Sequence, residues 1–423
     1  MTNVNRKSFL LYFLGFISFL ALYYLWRSNL PYVWDDTNVV KIFHLVDSAN
    51  NWHHYNSLIR LFIDSFSNDE PRGYRPLASF IRHFNILLKP DLVPSSFLIL
   101  VSGTLISTFN IYLYLLLKKI NLSKLTILLS IFFINLSPIF LQANWIMIAG
   151  FPILIPLCNV ACIYYYLSIR ENFKSKNVIL FLIFFLISLY YREFTFVLAL
   201  TLLAFEIVNI KNDLRLYYLT TSFFLFLLSI FPTILPKLIF LLLSPALYLY
   251  NSRIHNEFTE LPIKSIFQMG NASDQITIFS NNFQQFVPMI KVNAHFIMMF
   301  PILFCIGYLS IITYYQSIKI KLLTENQSLF NIIFFLAVFI FYFNFSSLGI
   351  ELFGIFVILV TIINCAFNRK LWLIIIWFVL SYLPLLIVFT EKVHLIYSMI
   401  PFAILLIYSF IQNLYLLNAQ KDN

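Results

Sequence analysis

Long apolar runs recur throughout the chain, and they constrain its fold more than any other feature of the sequence. A helix needs about 20 such residues to cross the roughly 30 Å hydrocarbon core of a bilayer. Backbone groups in lipid must be satisfied internally, and uninterrupted runs of Leu, Ile and Phe suit helices rather than alternating barrel strands. Only 11% of the 423 residues are charged, whereas a soluble globular chain carries about 25%. The sequence therefore predicts an all-α polytopic membrane protein.

The apolar runs predict a bundle of about 12 transmembrane helices with a large first outer loop. A further apolar segment, 236–250, is short and is interpreted as a re-entrant or interfacial helix. No internal repeat, Gly/Ser-rich linker or soluble segment divides the sequence, so residues 1–423 are predicted to form one membrane domain. The predicted spans are 8–26, 95–117, 124–141, 147–168, 177–191, 194–210, 217–235, 296–315, 328–344, 347–366, 371–389 and 395–416.

Basic residues decide the predicted orientation, because cytoplasmic loops carry an excess of lysine and arginine. With the N-terminus in the cytoplasm, every cytoplasmic connection holds a base, and the short outer turns hold only Arg192 and Lys392. The two long polar loops, 27–94 and 251–295, then share the outer side. Topology thus explains the net charge of +10 better than nucleic-acid binding does. We expect a bacterial cytoplasmic membrane, with the endoplasmic reticulum membrane as the alternative.

Acidic residues are rare within the predicted spans. Glu206 and Glu351 are the only ones, and both are expected near span ends. A transporter would be expected to hold its ionisable residues near the midplane of the membrane, whereas here the charged groups converge on the outer face. This distribution favours an enzyme that works at the membrane surface.

Two sets of residues could suggest a metal site. His44, His53 and His54 share the first outer loop with Asp35 and Asp36, but adjacent histidines point in different directions and no clear i, i+4 pair is present. No histidine site is predicted, while a divalent cation at Asp35 or Asp36 stays open. The cysteines lie in apolar runs without histidine or acidic neighbours and are expected to be buried hydrophobic residues: Cys158, Cys162, Cys305 and Cys365.

The first outer loop carries an aspartate pair, Asp35 and Asp36, soon after the first predicted span. A carboxylate that is partly desolvated at the membrane surface can act as a general base for a hydroxyl. The alternative is structural, because Asp36 or Thr37 could cap a short helix. Spacing alone leaves both interpretations open.

The same loop ends with a basic segment, Tyr74-Arg75-Pro76-Leu77, followed by Arg82. A residue before proline is held extended, and a guanidinium at that point suits bidentate binding of a phosphate or of the aspartate pair. The alternative is that the arginine reaches lipid headgroups. Other outer residues could contact a phosphate or substrate, or pair with charges of the first loop: Arg192, Glu193, Lys237, Lys392, His394 and Tyr397.

A carboxylate base and several cations beside a lipid–water interface fit a one-step displacement at a lipid phosphate. The segments Trp34-Asp35-Asp36 and Tyr74 to Asn85 resemble the first outer loop of the transmembrane O-mannosyltransferases that carry tetratricopeptide repeats, which belong to the GT-C superfamily of glycosyltransferases. Two shorter segments are similar to the same family: Ser137-Pro138 with Asn144-Trp145, and Glu391 through Tyr397-Ser398 followed by Pro401.

The resemblance implies a GT-C-like helical bundle and an inverting transfer of sugar from a polyprenyl-phosphate donor to a hydroxyl at the outer face. It also implies that Asp35 is the base and that Asp36 orients the acceptor or holds an ion. Arg75 and Arg192 would face the donor phosphate. The acceptor would be a saccharide, a lipid or a protein.

The sequence departs from the family at two points. It contains no tetratricopeptide array, and Lys392 and His394 stand where an arginine is expected. Two other functions would use a similar donor. A flippase or exporter of lipid-linked saccharide needs a central aqueous cavity, and a polymerase or ligase of surface polysaccharide is expected to have a larger late outer loop with several arginines. The loop 251–295 holds a single arginine, Arg253.

Overall fold

The computed structural model describes a helical protein. All regular structure in the described residues is helical, and they contain no strand. The prediction of an all-α fold is therefore confirmed for this part of the chain. The structure describes residues 76–87, 96–137, 140, 151–191, 195–209, 217–229, 306–307, 347–381, 399–412 and 414.

The described helices differ in length, and one of them, α2 with 24 residues, is long and apolar enough to cross a membrane. Shorter apolar helical stretches of 10–17 residues are found in α3, α5, α6, α7, α8 and α10. A 3₁₀ turn, Arg369–Leu371, precedes α9. In chain order the helices are α1 Pro76–Leu87, α2 Ser96–Lys119, α3 Lys124–Leu136, α4 Leu154–Glu171, α5 Ser175–Tyr191, α6 Thr195–Val208, α7 Tyr217–Ser229, α8 Ser347–Ala366, α9 Trp372–Leu380 and α10 Met399–Gln412.

Several helices agree closely with the predicted spans, and α8 ends at Ala366 as predicted. The predicted bounds were wrong for α3, α4 and α9. Helix α9 ends at Leu380 rather than at 389, with Ser381 as its C-cap and Pro384 following in the sequence. Helix α3 ends at Leu136 because Ser137 is extended (φ −67°, ψ 133°), as expected for a residue that precedes a proline. Helix α4 begins only at Leu154, after a turn that contains Pro152. The predicted spans 8–26 and 328–344, and most of 296–315, lie outside the described residues.

Polar residues set the connection between α2 and α3. Asn121 adopts a left-handed conformation (φ 59°), which asparagine tolerates better than most residues and which ends the preceding helix. Ser123 caps α3, since its hydroxyl accepts a hydrogen bond of 3.2 Å from the backbone N–H of Thr126.

The described helices fall into two compact units, and the first contains α1, α2, α4 and α5. Two contacts pair α2 with α4: the hydroxyls of Tyr112 and Tyr165 lie 2.9 Å apart, and Lys119 Nζ lies 2.7 Å from Glu171 Oε2. Because residue numbers increase in both helices from the first contact to the second, α2 and α4 are parallel. The Tyr165 ring stacks on Phe184 of α5, which returns antiparallel after a short turn.

The second unit contains α3, α8, α9 and α10. Its core includes the fully buried Trp377 and the tilted ring pair Phe378 and Phe402, whose centroids lie 5.6 Å apart. Two asparagines join α8 and the residue that follows it to α10: Asn364 donates to Ser409 Oγ at 2.9 Å, and Asn368 donates to the Tyr408 hydroxyl at 2.7 Å. Part-buried polar side chains of this unit therefore hydrogen-bond between helices.

Apolar side chains also cover outward faces of several helices. On α5, Ile179, Leu182, Ile183 and Leu186 are all exposed and recur at helical spacing. On α3, Leu128 is 62% exposed, and Leu125 and Phe132 lie on the same stripe. By contrast, buried positions of the first unit include Ser102, Ser107, Asn159 and Ser188. In the described helices, apolar residues therefore occupy exposed stripes as well as the core, and some polar residues are buried.

The tyrosine pair allows a direct test of the packing between α2 and α4. Replacing Tyr112 or Tyr165 with phenylalanine should lower the thermal unfolding midpoint of the detergent-solubilised protein, because each change leaves one hydroxyl without its partner. The double variant should cost less than the sum of the single changes, with a coupling of about 1 kcal/mol. Tyr217→Phe, at a 57% exposed position on α7, is the matched control. Strict additivity of the two single changes would contradict the contact.

Candidate functional site

Most of the predicted site lies outside the described residues. This applies to the aspartate pair, to the loop histidines and to the late charged segment, so their proposed roles stay predictions. Arg82 is within the described part and lies in helix α1. The site residues outside it are Asp35, Asp36, Tyr74, Arg75, Arg192, Glu193, Lys237, Lys392, His394 and Tyr397.

Helix α1 begins directly after the predicted phosphate-binding arginine. Its first residue is Pro76, and proline is favoured at this position because its fixed φ suits the first turn and its missing N–H is not needed there. The predicted outer loop 27–94 thus contains a 12-residue helix that the sequence analysis missed. The signal was present, since Leu77, Phe80, Ile81 and Phe84 recur at helical spacing.

Arg192 and Glu193 lie between two helix ends that the structure describes. Helix α5 is described as far as Tyr191 and α6 from Thr195, and residues 192–194 between them lie outside the described part. The buried hydroxyls of Ser188 and Thr195 lie 2.7 Å apart across this connection. The hydrogen bond between them holds the end of α5 next to the start of α6.

The helices adjacent to the two predicted phosphate-binding arginines pack against each other. Helix α1, which follows Arg75, contacts α5, which precedes Arg192. Ala78 and Asn85, seven residues apart on α1, are both buried and define its inward face. The fold therefore packs the helix that follows Arg75 against the helix that precedes Arg192.

A second contact joins the segments of the two weaker sequence similarities. The hydroxyl of buried Ser137 donates to the sulfur of Met399 at 2.7 Å. Ser137 precedes Pro138 in the first of these segments. Met399 lies between Ser398 and Pro401 in the second, at the start of α10. Asn144, Trp145 and the residues from Glu391 to Ser398 lie outside the described part.

Asn159 is a polar residue that the sequence analysis did not single out. It is 1% exposed, and neither its Oδ1 nor its Nδ2 has a hydrogen-bond partner among the described residues. It lies six residues before Tyr165 on α4, while Ser107 lies five before Tyr112 on α2, so the two are at about the same level. Ser107 already donates to the carbonyl of Gly103 at 2.8 Å. The only signal in the sequence is an amide near the middle of an apolar run.

Glu206 is a second buried polar residue, with no exposed surface. It lies two residues before the last residue of α6, Val208, which agrees with its expected place near a span end. Glu351 likewise lies near an end of its helix, within the first five residues of α8. Neither position is close to the middle of a helix, where the charge would be farthest from water.

Cysteines in the described part are buried and form no disulfide, as expected for small hydrophobic residues: Cys158, Cys162 and Cys365. Cys305 lies outside it. Within the described ranges, no group of three or more His, Cys, Asp or Glu side chains could hold a metal ion. The loop histidines and the aspartate pair, the candidate ligands of a divalent cation, lie outside those ranges.

Comparison with known proteins gives no match of any of the three kinds. No protein-family model, no curated protein sequence and no solved structure matches this chain. Its class is therefore argued from its own residues and contacts.

Replacing Asn159 tests whether its buried amide destabilises the first unit. An amide that is buried without a partner costs about 1–3 kcal/mol, and valine has a similar volume without polar atoms. Asn159→Val should therefore raise the thermal unfolding midpoint in detergent. Ser107→Ala, at the same level, removes a satisfied hydroxyl and should not raise it. A lower midpoint for Asn159→Val would mean that the amide makes hydrogen bonds in the folded protein.

Proposed function

We propose that this chain is an integral multi-pass membrane glycosyltransferase of the GT-C type. It transfers a sugar from a polyprenyl-phosphate donor to an acceptor hydroxyl at the outer membrane face, with inversion at the anomeric carbon. The acceptor is a saccharide, a lipid or a protein. The observation that carries the proposal is the contact between α1 and α5, because these helices adjoin Arg75 and Arg192, the two cations assigned to the donor phosphate.

The distribution of side chains supports the membrane placement. Exposed apolar stripes on α3 and α5 suit contact with lipid, which is as apolar as leucine, while serines and an asparagine face the interior. Helix α2 is long enough to span the hydrocarbon core. The proposed bundle of about 12 spans extends this arrangement to the rest of the chain.

The direction of the helices supports the proposed orientation. Lys119 and Glu171 pair where α2 and α4 end, and the predicted topology puts both of these ends in the cytoplasm. Helix α5 is antiparallel to α4, so its last residue, Tyr191, lies at the other end of the unit. Arg192 then follows on the outer side, where the lipid-linked donor would be reached.

The proposed chemistry is a single displacement. The acceptor oxygen attacks the anomeric carbon as the bond between that carbon and the phosphate oxygen breaks. The Asp35 carboxylate takes the acceptor proton, and polyprenyl phosphate leaves with the bonding electron pair. Arg75 and Arg192 stabilise the charge that develops on the leaving phosphate. Asp36 orients the acceptor or holds a divalent cation.

The base is tested by removing one charge at a time in the purified, membrane-inserted protein. Asp35→Asn should lower kcat for sugar transfer by about 10²–10⁴-fold, because an amide cannot accept the hydroxyl proton. Asp36→Asn should lower it less. Asp64→Asn, in the same loop, is the matched control and should retain activity. The assay follows transfer of radiolabelled sugar from a panel of polyprenyl-phosphate donors. Full activity of both Asp35→Asn and Asp36→Asn would remove the pair from the mechanism.

The phosphate contacts are tested with Arg75→Gln and Arg192→Gln. Each should reduce kcat/KM for the donor by roughly 10–100-fold, since a charge-assisted hydrogen bond to phosphate is lost. Arg75→Lys should recover only part of the activity, because lysine cannot bind two oxygens in the same plane. Arg60→Gln, elsewhere in the first loop, is the control. A similar loss in Arg60→Gln would point to a general effect of charge near the membrane.

The same preparation separates transfer from transport. A transferase releases polyprenyl phosphate as the sugar appears on the acceptor, whereas a flippase moves the intact lipid-linked saccharide between leaflets. Movement of donor in liposomes without cleavage would overturn the proposed function.

A further inference from the structure

A cluster of basic side chains lies at the end of the first unit where α2 and α4 finish and α5 starts. We call it the basic end. The ion pair between Lys119 and Glu171 brings the last turns of α2 and α4 together at this end. Only the three residues 172–174 separate α4 from α5, so the start of α5 belongs to the same region. The cluster comprises Lys118, Lys119, Arg170, Lys174 and Lys176.

The basic end carries an excess of positive charge that its own residues do not neutralise. Glu171 is the only acidic residue in the stretches 118–119 and 170–176. Lys119 engages it and also lies 5.8 Å from the centre of the Tyr164 ring. Lys118, Lys174 and Lys176 are exposed. Even without Arg170, four lysines against one glutamate leave a net charge of +3 on these side chains.

Helix capping accounts for only part of this charge. Lys118, Lys119 and Arg170 lie in the last turns of their helices, where cations stabilise the exposed carbonyl groups. Lys174 and Lys176 lie instead at the start of α5, where the helix dipole disfavours cations, and the first turn of α5 holds no acidic residue. Helix capping therefore does not account for these two lysines, and their exposed side chains are accessible to an anion.

The surroundings indicate which anion would fit. Phe173, directly before Lys174, is 66% exposed, and the exposed apolar stripe of α5 begins nearby at Ile179. A free phosphate gains nothing from an exposed aromatic ring. A phospholipid offers a phosphate for the lysines and, a few ångströms away, acyl chains for Phe173 and Ile179. Lysines beside apolar helical surface are a common recognition pattern for anionic headgroups.

We propose that the basic end binds the headgroup of an anionic phospholipid in the leaflet opposite the proposed active site. Lys174 and Lys176 contact the headgroup phosphate, Lys118 adds to the attraction, and Phe173 packs against the acyl chains. The lipid site rests on the proposed membrane placement but not on sugar transfer. The two proposals can therefore be tested separately. Bound lipid there would hold the ends of α2, α4 and α5 at one depth in the bilayer.

The test measures binding of short-chain phosphatidylglycerol to the purified full-length protein in an uncharged detergent, with phosphatidylcholine as the zwitterionic reference. Each exposed lysine near anionic lipid contributes about fivefold in affinity, so Lys174→Gln/Lys176→Gln should weaken phosphatidylglycerol binding by roughly 25-fold. The charge-retaining variant Lys174→Arg/Lys176→Arg should bind close to the wild type. Raised salt should weaken binding to the wild type more than to the double glutamine variant.

The matched control removes two other exposed bases from a predicted cytoplasmic turn, as Arg369→Gln/Lys370→Gln in the second unit. It should retain phosphatidylglycerol binding. An equal loss in this control would show general attraction to charge and overturn the site, as would unchanged binding in Lys174→Gln/Lys176→Gln. Competition by glycerol phosphate as strong as that by the lipid would overturn the lipid assignment. Lipid-free unfolding midpoints confirm that the variants are folded, and sugar transfer is measured separately.

Discussion

The pairing of α2 with α4 fixes the arrangement of the first unit. A hydroxyl contact within the helices and an ion pair at their ends set both the direction and the register of two helices that are not adjacent in sequence. Once α4 is placed, Tyr165 positions α5 through its ring contact with Phe184, and α5 in turn receives α1. The ion pair is partly exposed and contributes at most about 1 kcal/mol, so the hydroxyl contact and the ring contacts of Tyr112 contribute more to this register.

This pairing also gives the unit two chemically different ends. One end gathers the bases of three helix termini, and the other holds the end of α5 and the connection to α6. The buried polar residues Asn159 and Ser107 lie between these two ends. In the proposed function the donor phosphate is met at one end and structural lipid at the other. The two ends of one helical unit would therefore both bind phosphate groups, one in the reaction and the other in a structural lipid.

Much of the helical pattern follows from sequence alone, because a long apolar run between charged turns has few other stable structures. The end of α8 at Ala366 and the end of α2 at Lys119, two residues from the predicted position, are examples. Local effects account for part of the difference between prediction and structure. Helix α3 is shorter than predicted because Ser137 precedes Pro138. Helix α1 was not predicted because it lies in a stretch that is polar on average. The burial of Asn159 depends on how α2, α4 and α5 pack, which no local pattern contains. Of the two helices that flank Arg75 and Arg192, the sequence analysis predicted α5 and missed α1, because α5 is a long apolar run and α1 lies in a polar stretch.

The hydrogen bond between the Ser188 and Thr195 hydroxyls has a consequence for how freely the segment between them can move. Both side chains are buried, and their contact holds the last turn of α5 beside the first residue of α6. Any motion that separated these two points would break a buried hydrogen bond, which costs free energy. The stretch of chain that carries Arg192 and Glu193 is therefore anchored at both of its ends.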